Sequence, residues 1–494
     1  MPLATVLSRA RLGIDAPLIT IEVHLSAGLP AFNIVGLPEA TVREAKDRVR
    51  SALINSRFEF PVSRITVNLA PADLPKEGGR FDLPIAIGIL LATGQLKQAQ
   101  TDGFEFIGEL GLSGELRQVH AALPAALACA DAGHQLVLPT ANSGLDALIA
   151  ADTLKEAPDL LAVVAFLSGQ LPLPDAETPA IGTPGEAPYP DLSDVRGQLL
   201  ARRALEIAAA GGHSLLFSGP PGTGKTLLAN RLQGILPPLT EHEQRDIAIM
   251  QSIVGKPLSL QRPFRAPHHT ASAVALVSGG SNPRPGEISL ADRGILFLDE
   301  LPEYPRKVLE VLREPMESGE VMISRASQQL RFPARFQLIT AMNPCPCGYD
   351  GDPQQACRCT PDQIQRYRGR ISGPLLDRID LRLRIHRMPI GELQDAPPGE
   401  SSATVRARVC AARRRQAARQ HTVNAQLSAA DVARHCTLDQ PGKQFMRQAE
   451  ERLKLSARAH HRLLKVARSI ADLSGDARID ATHLQEAVAY RGDL

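Results

Sequence analysis

The chain alternates between two hydrophobic patterns over its first third. Segments such as LITIEVHL and RITVNLA alternate apolar and polar residues with a period of two, which predicts half-buried β-strands. Segments such as EATVREAKDRVRSAL have the period of an amphipathic helix. Residues 1–167 are therefore predicted to form an α/β domain.

The pattern then breaks and changes. Residues 168–190 are rich in proline, glycine and small residues, and this composition predicts an interdomain linker. Three short apolar runs follow, SLLFSGP, GILFLDE and FQLITAMN, which are typical of buried strands in a parallel sheet with crossover helices. They predict a second α/β domain over residues 191–390, and the helical pattern of residues 391–494 predicts a C-terminal helical domain.

Composition restricts the class of protein. The 494 residues carry a formal net charge of only +2, so an anionic partner must meet local basic patches rather than a global field. No apolar run approaches the roughly 18 residues that a membrane span needs. Arg9 and Arg11 stand where a signal peptide would need its apolar core. We therefore expect a cytoplasmic, multidomain protein with no membrane partner.

The sharpest chemical signal is GPPGTGKT, which follows the first apolar run and precedes the helical pattern LLANRLQ. In such a phosphate-binding loop, backbone N–H groups point at the phosphates of ATP, Lys225 reaches the β and γ oxygens, and the Thr226 hydroxyl binds Mg²⁺. The residues predicted to bind nucleotide are Gly219, Pro220, Pro221, Gly222, Thr223, Gly224, Lys225, Thr226 and Asp299.

Two further runs supply the remaining catalytic groups. The second apolar run ends in adjacent carboxylates, which predicts Asp299 as a Mg²⁺ ligand beside Thr226 and Glu300 as the residue that orients the attacking water. Asn343 ends the third run and is predicted to contact the γ-phosphate. A turn-forming asparagine before Pro344 is the alternative.

Four of the seven cysteines lie within NPCPCGYDGDPQQACRCTP. Two closely spaced pairs separated by a glycine- and aspartate-rich turn offer Zn²⁺ four thiolate ligands. Reduced thiols in a surface loop and a redox-sensitive pair remain the alternatives. The candidate Zn²⁺ ligands are Cys345, Cys347, Cys357 and Cys359.

These spacings resemble those of the AAA+ ATPases. The runs GEISLADRGILFLDELPEY, REPMESGEV, ARFQLITAMNPCPCG and SGPLLDRIDL resemble the magnesium-chelatase-like branch, and within it the bacterial ComM (also called YifB) family, over essentially the whole chain. The resemblance implies that Arg378 is an arginine finger reaching a neighbour's ATP, that Arg458 is a sensor-2 arginine at the start of a lid helix, and that the protein assembles as a homo-hexamer.

The N-terminal domain resembles the Lon-protease type, which is shared with ribosomal protein S5 domain 2. The run PKEGGRFDLPIAIGILLA aligns with the segment that carries the nucleophilic serine in Lon, but Arg80 stands in that serine's place. A serine–lysine protease needs a hydroxyl beside a base, so we expect no proteolysis.

Basic segments are the candidate DNA contacts. Arg325 and Arg331 flank a predicted β-hairpin tip, which points into the pore of related ring ATPases, and Arg413, Arg414 and Arg415 lie on a strongly basic helix. The alternative for such a helix is a solvated face.

The function expected from the resemblance is that of a DNA helicase. It would use ATP and Mg²⁺ to drive branch migration on single-stranded and branched DNA during natural transformation and recombination, with recombination proteins as further partners. The alternative is a magnesium- or cobalt-chelatase-type ATPase subunit that remodels a metal-insertion partner.

Overall fold

The computed structural model describes residues 3–36, 42, 44–145, 148–173, 189–279, 284–325, 328–389, 391, 395–453 and 455–492. The chain divides into two compact units, each discontinuous in sequence. Unit 1 comprises Met1–Pro184, Gln244–Leu260 and Met322–Phe332, and unit 2 comprises Gly185–Glu243, Gln261–Val321 and Pro333–Leu494. Residues 174–188, most of the predicted linker, lie outside the described part of the chain.

The first 184 residues supply nine strands and four α-helices among those described. They are β1 Leu3–Arg9, β2 Leu18–Ser26, β3 Ala31–Val35, α1 Ala45–Asn55, β4 Arg64–Ala70, α2 Asp82–Ala92, β5 Phe104–Phe106, β6 Glu109–Leu110, β7 Leu116–Arg117, α3 Ala122–Asp131, β8 Gln135–Pro139, β9 Leu154–Ala157 and α4 Leu160–Leu167.

Seven of these strands form a mixed sheet in the order β3-β4-β2-β1-β5-β8-β9. Strands β1 and β4 flank β2 and pair with it antiparallel, whereas β5, β8 and β9 continue the sheet in parallel. The period of two in the sequence matches the burial, since alternate side chains of β1, β2 and β4 are buried.

Helix α2 covers this sheet and is buried on every face. Gly88 allows the close approach, because a Cβ atom there would lie 2.5 Å from Cγ2 of Val23 on β2. Arg80, just before this helix, is buried, and its Nη2 donates to the Ala121 carbonyl at 3.3 Å. Burial, above all, lowers the pKa of Arg80 to about 10.

The rest of the chain supplies nine strands and fourteen helices among the described residues. They are α5 Leu199–Gly211, β10 Leu215–Ser218, α6 Lys225–Ile235, α7 Glu241–Ile253, β11 Phe264–Arg265, α8 Ala273–Val277, β12 Ser278–Gly279, β13 Arg284–Pro285, α9 Glu287–Leu290, β14 Ile295–Leu298, α10 Arg306–Glu310, α11 Pro315–Ser318, β15 Glu320–Arg325, β16 Gln328–Pro333, β17 Gln337–Met342, α12 Pro361–Arg368, α13 Gly373–Leu376, β18 Leu381–Arg384, α14 Ser402–Gln420, α15 Ala429–His435, α16 Gln440–Leu453, α17 Ala457–Ser474 and α18 Ala481–Ala489.

Two elements of this later part belong largely to unit 1. Most of α7 lies there, and its Ala248 is fully buried in a cluster that includes Leu123 and Ala126 of α3. The Ala121 amide donates to the Ser252 carbonyl at 2.9 Å, which ties the start of α3 to the end of α7. Most of the β15–β16 hairpin lies in unit 1 as well.

Unit 2 is built on a five-stranded parallel sheet in the order β11-β14-β17-β10-β18. Strands β10 and β14 are buried at every position, as expected for a sheet with helices on both faces. The α/β fold, the parallel sheet and the helical C-terminal region are confirmed. No helix among the described residues is both long and apolar enough to cross a membrane. The exact domain bounds and the Lon-type likeness of the N-terminal part stay predictions.

A buried ionic network joins the C-terminal helices to the start of β10. Asp380 accepts hydrogen bonds from the Ser214 backbone N–H at 3.1 Å and pairs with Arg462 of α17 and with His213. Burial alone would raise the pKa of Asp380, but Arg462 and His213 together lower it to well below its usual range. The carboxylate therefore stays charged inside the protein and fixes α17 against the sheet.

We predict that Asp380→Asn destabilises unit 2 by roughly 3–5 kcal/mol, because the mostly buried Arg462 would lose its counter-charge. Because the folded pKa lies below the unfolded one, the stabilisation is present above about pH 4 and is lost as the pH falls further. Denaturation midpoints of the two proteins at several pH values measure this. Asp377→Asn, a change to a half-exposed carboxylate, is the control and should cost less than about 1 kcal/mol. Equal midpoints for both variants would contradict the prediction.

Candidate nucleotide site

The candidate site lies where the central strands of unit 2 end. Strands β14, β17 and β10 are neighbours and run parallel, so the residues that follow them meet at one edge of the sheet. The phosphate-binding loop follows β10, Asp299 and Glu300 follow β14, and Asn343 follows β17. Strand order alone therefore brings three separate sequence signals together.

Lys225 links two of these segments. Its Nζ donates to the carbonyl oxygens of Gly219 and Pro220 at 2.7 and 2.9 Å and to Oδ1 of Asn343 at 3.2 Å. The side chain is nine-tenths buried. Burial lowers the pKa of Lys225, and the charges of Asp299 and Glu300 partly offset that effect.

The candidate Mg²⁺ ligands also meet. The Thr226 hydroxyl donates to Oδ2 of Asp299 at 2.8 Å, and the other carboxylate oxygen of Asp299 accepts the backbone N–H of Glu300 at 2.9 Å. One hydroxyl and one carboxylate are oxygen ligands of the kind that Mg²⁺ binds beside phosphates. The residues present therefore fit a Mg²⁺–nucleotide complex.

The loop between β10 and α6 has the glycine geometry of a phosphate cradle. Gly222 and Gly224 adopt φ angles of 79° and 82°, which favour glycine. A Cβ atom on Gly219 would lie 2.4 Å from the Ile385 carbonyl oxygen. Thr223 closes the loop by donating its hydroxyl to the Pro220 carbonyl at 2.9 Å.

Glu300 has a neighbour that the sequence did not reveal. Nδ1 of His269 lies 3.4 Å from Oε2 of Glu300, and the His268 and His269 rings stack with centroids 4.1 Å apart. Glu300 itself has a φ of 51°, the left-handed region, directly after β14. The adjacent histidines gave no spacing signal, because the contact joins residues 31 positions apart through the pairing of β11 with β14.

The four clustered cysteines converge. The sulfur of Cys345 lies 3.4 Å from that of Cys347 and 3.6 Å from that of Cys357, and all four sulfurs lie within 4.8 Å of one another. Four sulfurs at about 2.3 Å from a tetrahedral Zn²⁺ would be about 3.8 Å apart. All of these cysteines are free of disulfides. The donor set therefore fits Zn²⁺.

The cysteine loop also contacts the phosphate-binding loop. A Cβ atom on Gly348, whose φ is 89°, would lie 2.7 Å from Cδ of Pro221. Arg387 donates to the Pro221 carbonyl at 3.2 Å and lies over the Tyr349 ring. A metal held by this loop would therefore lie beside both the phosphate-binding loop and Asn343.

The two arginines implied by the family resemblance lie together, but away from Lys225. Nη2 of Arg378 lies 2.7 Å from Oε1 of Glu317, and Nη2 of Arg458 lies 3.2 Å from the same oxygen. The Arg378 carbonyl accepts a hydrogen bond from the Ser214 hydroxyl just before β10 begins, whereas Lys225 follows the loop after β10 ends. The described residues thus form two separate charge clusters.

The candidate DNA contacts differ in their hydrogen bonds and in the exposure of their side chains. Arg413 donates twice to the Ala209 carbonyl, at 3.0 and 2.8 Å, and Arg415 donates to the Asp472 carbonyl at 2.7 Å. Both therefore contact the C-terminal ends of helices, although Arg415 is exposed, as is Arg414. Arg331 is exposed within β16. Arg325 ends β15, while its side chain and residues 326–327 of the hairpin tip lie outside the described residues.

Comparison with known families gives matches along most of the chain. Models described as magnesium chelatase, subunit ChlI, as subunit ChlI of Mg-chelatase, and as magnesium chelatase, subunit ChlI C-terminal match residues 191–393, 21–142 and 399–491. The last two matches flank the part of the chain that carries the candidate nucleotide site.

Individual relatives cover the whole chain. The competence protein ComM of Haemophilus influenzae is 53% identical over 99% of this chain and 98% of its own length. The uncharacterized protein YifB of Salmonella typhimurium is 51% identical over 99% of this chain and 97% of its own. By contrast, the magnesium-chelatase 38 kDa subunit of Cereibacter sphaeroides is 25% identical over 32% of this chain and 53% of its own length. The chain therefore belongs to the ComM/YifB family of magnesium-chelatase-like AAA+ proteins.

Proposed function

We propose that the protein is an ATP-driven DNA motor that works as a hexameric ring in the cytoplasm and catalyses branch migration on branched DNA. The observation that carries this proposal is the separation of the two charge clusters. Lys225, Asp299 and Glu300 lie at one edge of the sheet. Arg378 and Arg458 instead form ion pairs with Glu317. A neighbouring protomer can supply the arginines that each nucleotide site lacks.

Within one nucleotide site the roles follow from the geometry. Lys225 would neutralise the β- and γ-phosphates, Thr226 and Asp299 would hold Mg²⁺, and Asn343 would contact the γ-phosphate. Glu300, half exposed and close to His269, is the residue that would orient the attacking water. Phosphoryl transfer needs little else from the protein than this positioning and the cancellation of charge.

The similarity to the competence protein supports DNA as the substrate. That relative covers nearly the whole of both chains, whereas the chelatase subunit covers about a third of this one. The exposed Arg331 and Arg414 are the candidate contacts to phosphates. Arg413 and Arg415 already bind main-chain carbonyls, so we expect less from them.

The first prediction tests the activity itself. ATP turnover should rise when a four-way or three-way DNA junction is added, and a fluorescently labelled junction should be resolved only with ATP. Lys225→Ala should lose nucleotide binding about a hundredfold or more, and Glu300→Gln should bind ATP and junction but turn over about a hundredfold more slowly. Stimulation by a chelatase-type partner instead of by DNA would contradict the proposal.

The second prediction tests the shared site. Arg378→Ala and Lys225→Ala should each be inactive alone. Mixed 1:1, they should recover up to about a quarter of wild-type turnover, because random mixing pairs an intact loop with an intact arginine at about one interface in four. Glu300→Gln mixed with Lys225→Ala is the control, since both changes lie in the same half of the site. Recovery in the control, or none in the test, would contradict the arrangement.

The third prediction concerns the thiol cluster, which we propose binds one structural Zn²⁺. Protein purified under reducing conditions should contain about one zinc per chain by atomic absorption, and the double variant Cys347→Ser, Cys357→Ser should contain almost none. Cys410→Ser, a change outside the cluster, should keep the metal. Because Gly348 packs on Pro221, loss of zinc should also weaken ATP binding. A metal-free wild-type protein would refute the zinc assignment.

A further inference from the structure

A single carboxylate holds both arginines of the second charge cluster. Oε1 of Glu317 accepts from Nη2 of Arg378 at 2.7 Å and from Nη2 of Arg458 at 3.2 Å. Glu317 lies on α11, Arg378 lies just before β18, and Arg458 is the second residue of α17. Three elements that are distant in sequence therefore meet at one oxygen atom.

The main chain of both arginines is fixed. The Arg378 carbonyl accepts hydrogen bonds from the Ser214 hydroxyl at 3.0 Å and from Arg462 at 2.8 Å. The first turn of α17 is capped by Ser456, whose hydroxyl accepts the Ala459 N–H at 3.2 Å. Any change of partner by Arg378 or Arg458 would therefore be a movement of the side chain alone.

Glu317 lines two clefts of different charge. The cleft that it shares with Arg378 also carries Glu310, Glu314 and Arg313. The other, of about 1040 Å³, contains Arg458, and Glu317 is the only acidic residue among the described residues that line it. The cationic residues of that lining are Arg293, Arg335, Arg458, Arg462 and Lys465. Nε of Arg378 is buried and has no hydrogen-bond partner in the described part of the chain. An anion that enters the larger cleft would meet these cations, of which Arg458 alone is paired with Glu317.

Competition between anions follows from these contacts. A guanidinium that pairs with a carboxylate also pairs with a phosphate, and a terminal phosphate carries more negative charge than Glu317. The Glu317 and Arg458 side chains are both about half exposed, so their ion pair is weak enough to exchange, whereas the Arg378 side chain is 6% exposed.

We propose that Glu317 is a positioning residue that holds Arg378 and Arg458 as a pair and releases both to the γ-phosphate bound by the neighbouring protomer. The inference rests on the proposed function, in which these arginines complete the neighbour's site. Its new element is that the side chains of Arg378 and Arg458 together exchange the Glu317 carboxylate for the γ-phosphate.

Glu317 is also close in sequence to the β15–β16 hairpin. Helix α11 ends at Ser318, Gly319 follows with a φ of 72°, and β15 begins at Glu320. The Gly319 carbonyl accepts the Ala334 N–H at 2.8 Å, which closes the base of the hairpin. Two residues therefore separate Glu317 from the start of β15, and we expect bound DNA to weaken its hold on the arginines.

The test compares ATP turnover by Glu317→Gln, Glu317→Asp, Glu314→Gln and wild-type protein. Without DNA, kcat/KM for ATP should rise about fivefold in Glu317→Gln, the factor expected from losing the two ion pairs of this half-exposed carboxylate together, and stimulation by DNA should shrink by a similar factor. Glu317→Asp keeps the charge and should stay near the wild-type value. Glu314→Gln removes the same charge from an exposed position three residues earlier and should change neither quantity.

The outcomes separate this inference from the proposed function. Wild-type turnover in Glu317→Gln would overturn the holding role, and so would a fall of kcat/KM to the level of Arg378→Ala, because Glu317 would then assist the arginines instead of retaining them. A merely structural role would lower thermal stability and turnover together. If the wild-type protein itself hydrolysed no ATP, the proposed function would fail and the inference would fail with it.

Discussion

The nucleotide site depends on the order of strands in one parallel sheet. Because β14, β17 and β10 are adjacent, the residues that follow them reach the same edge, and Thr226, Asp299, Lys225 and Asn343 form two hydrogen-bonded pairs there. Arg378 precedes β18 instead of following a strand, so the same topology leads it away from that edge. In the proposed ring, the Arg378 of a neighbouring protomer would reach this edge.

Ion pairs around Asp380 connect the segment that carries Arg378 to the strand that leads into the phosphate-binding loop. Asp380 joins the residues before β10 to Arg462 of α17, and Arg462 also donates to the Arg378 carbonyl. These contacts therefore fix three parts of unit 2 relative to one another, namely strand β10, the main chain of Arg378 and helix α17.

Short-range signals made the fold and half of the site predictable. The chemistry of the phosphate-binding loop and of the strand that ends in two acids can each be recognised within about ten residues. The alternate burial of the strands follows directly from the period of two in the sequence. Glu317 and His269 could not be found this way, because their partners are distant in sequence. Arg378 is 61 positions from Glu317, and Glu300 is 31 positions from His269. The DNA contacts predicted on α14 stay predictions, and two of these residues, Arg413 and Arg415, also bind helix carbonyls that no local pattern announces.

The central claim is that one protomer's arginine completes the next protomer's nucleotide site. The most direct measurement is a cryo-electron microscopy structure of the Glu300→Gln protein with ATP and a DNA junction. The account predicts a closed ring in which the Arg378 guanidinium lies within hydrogen-bonding distance of the γ-phosphate held by the adjacent Lys225. An arginine that still contacts Glu317 while ATP fills every site, or a site completed wholly by its own chain, would contradict it.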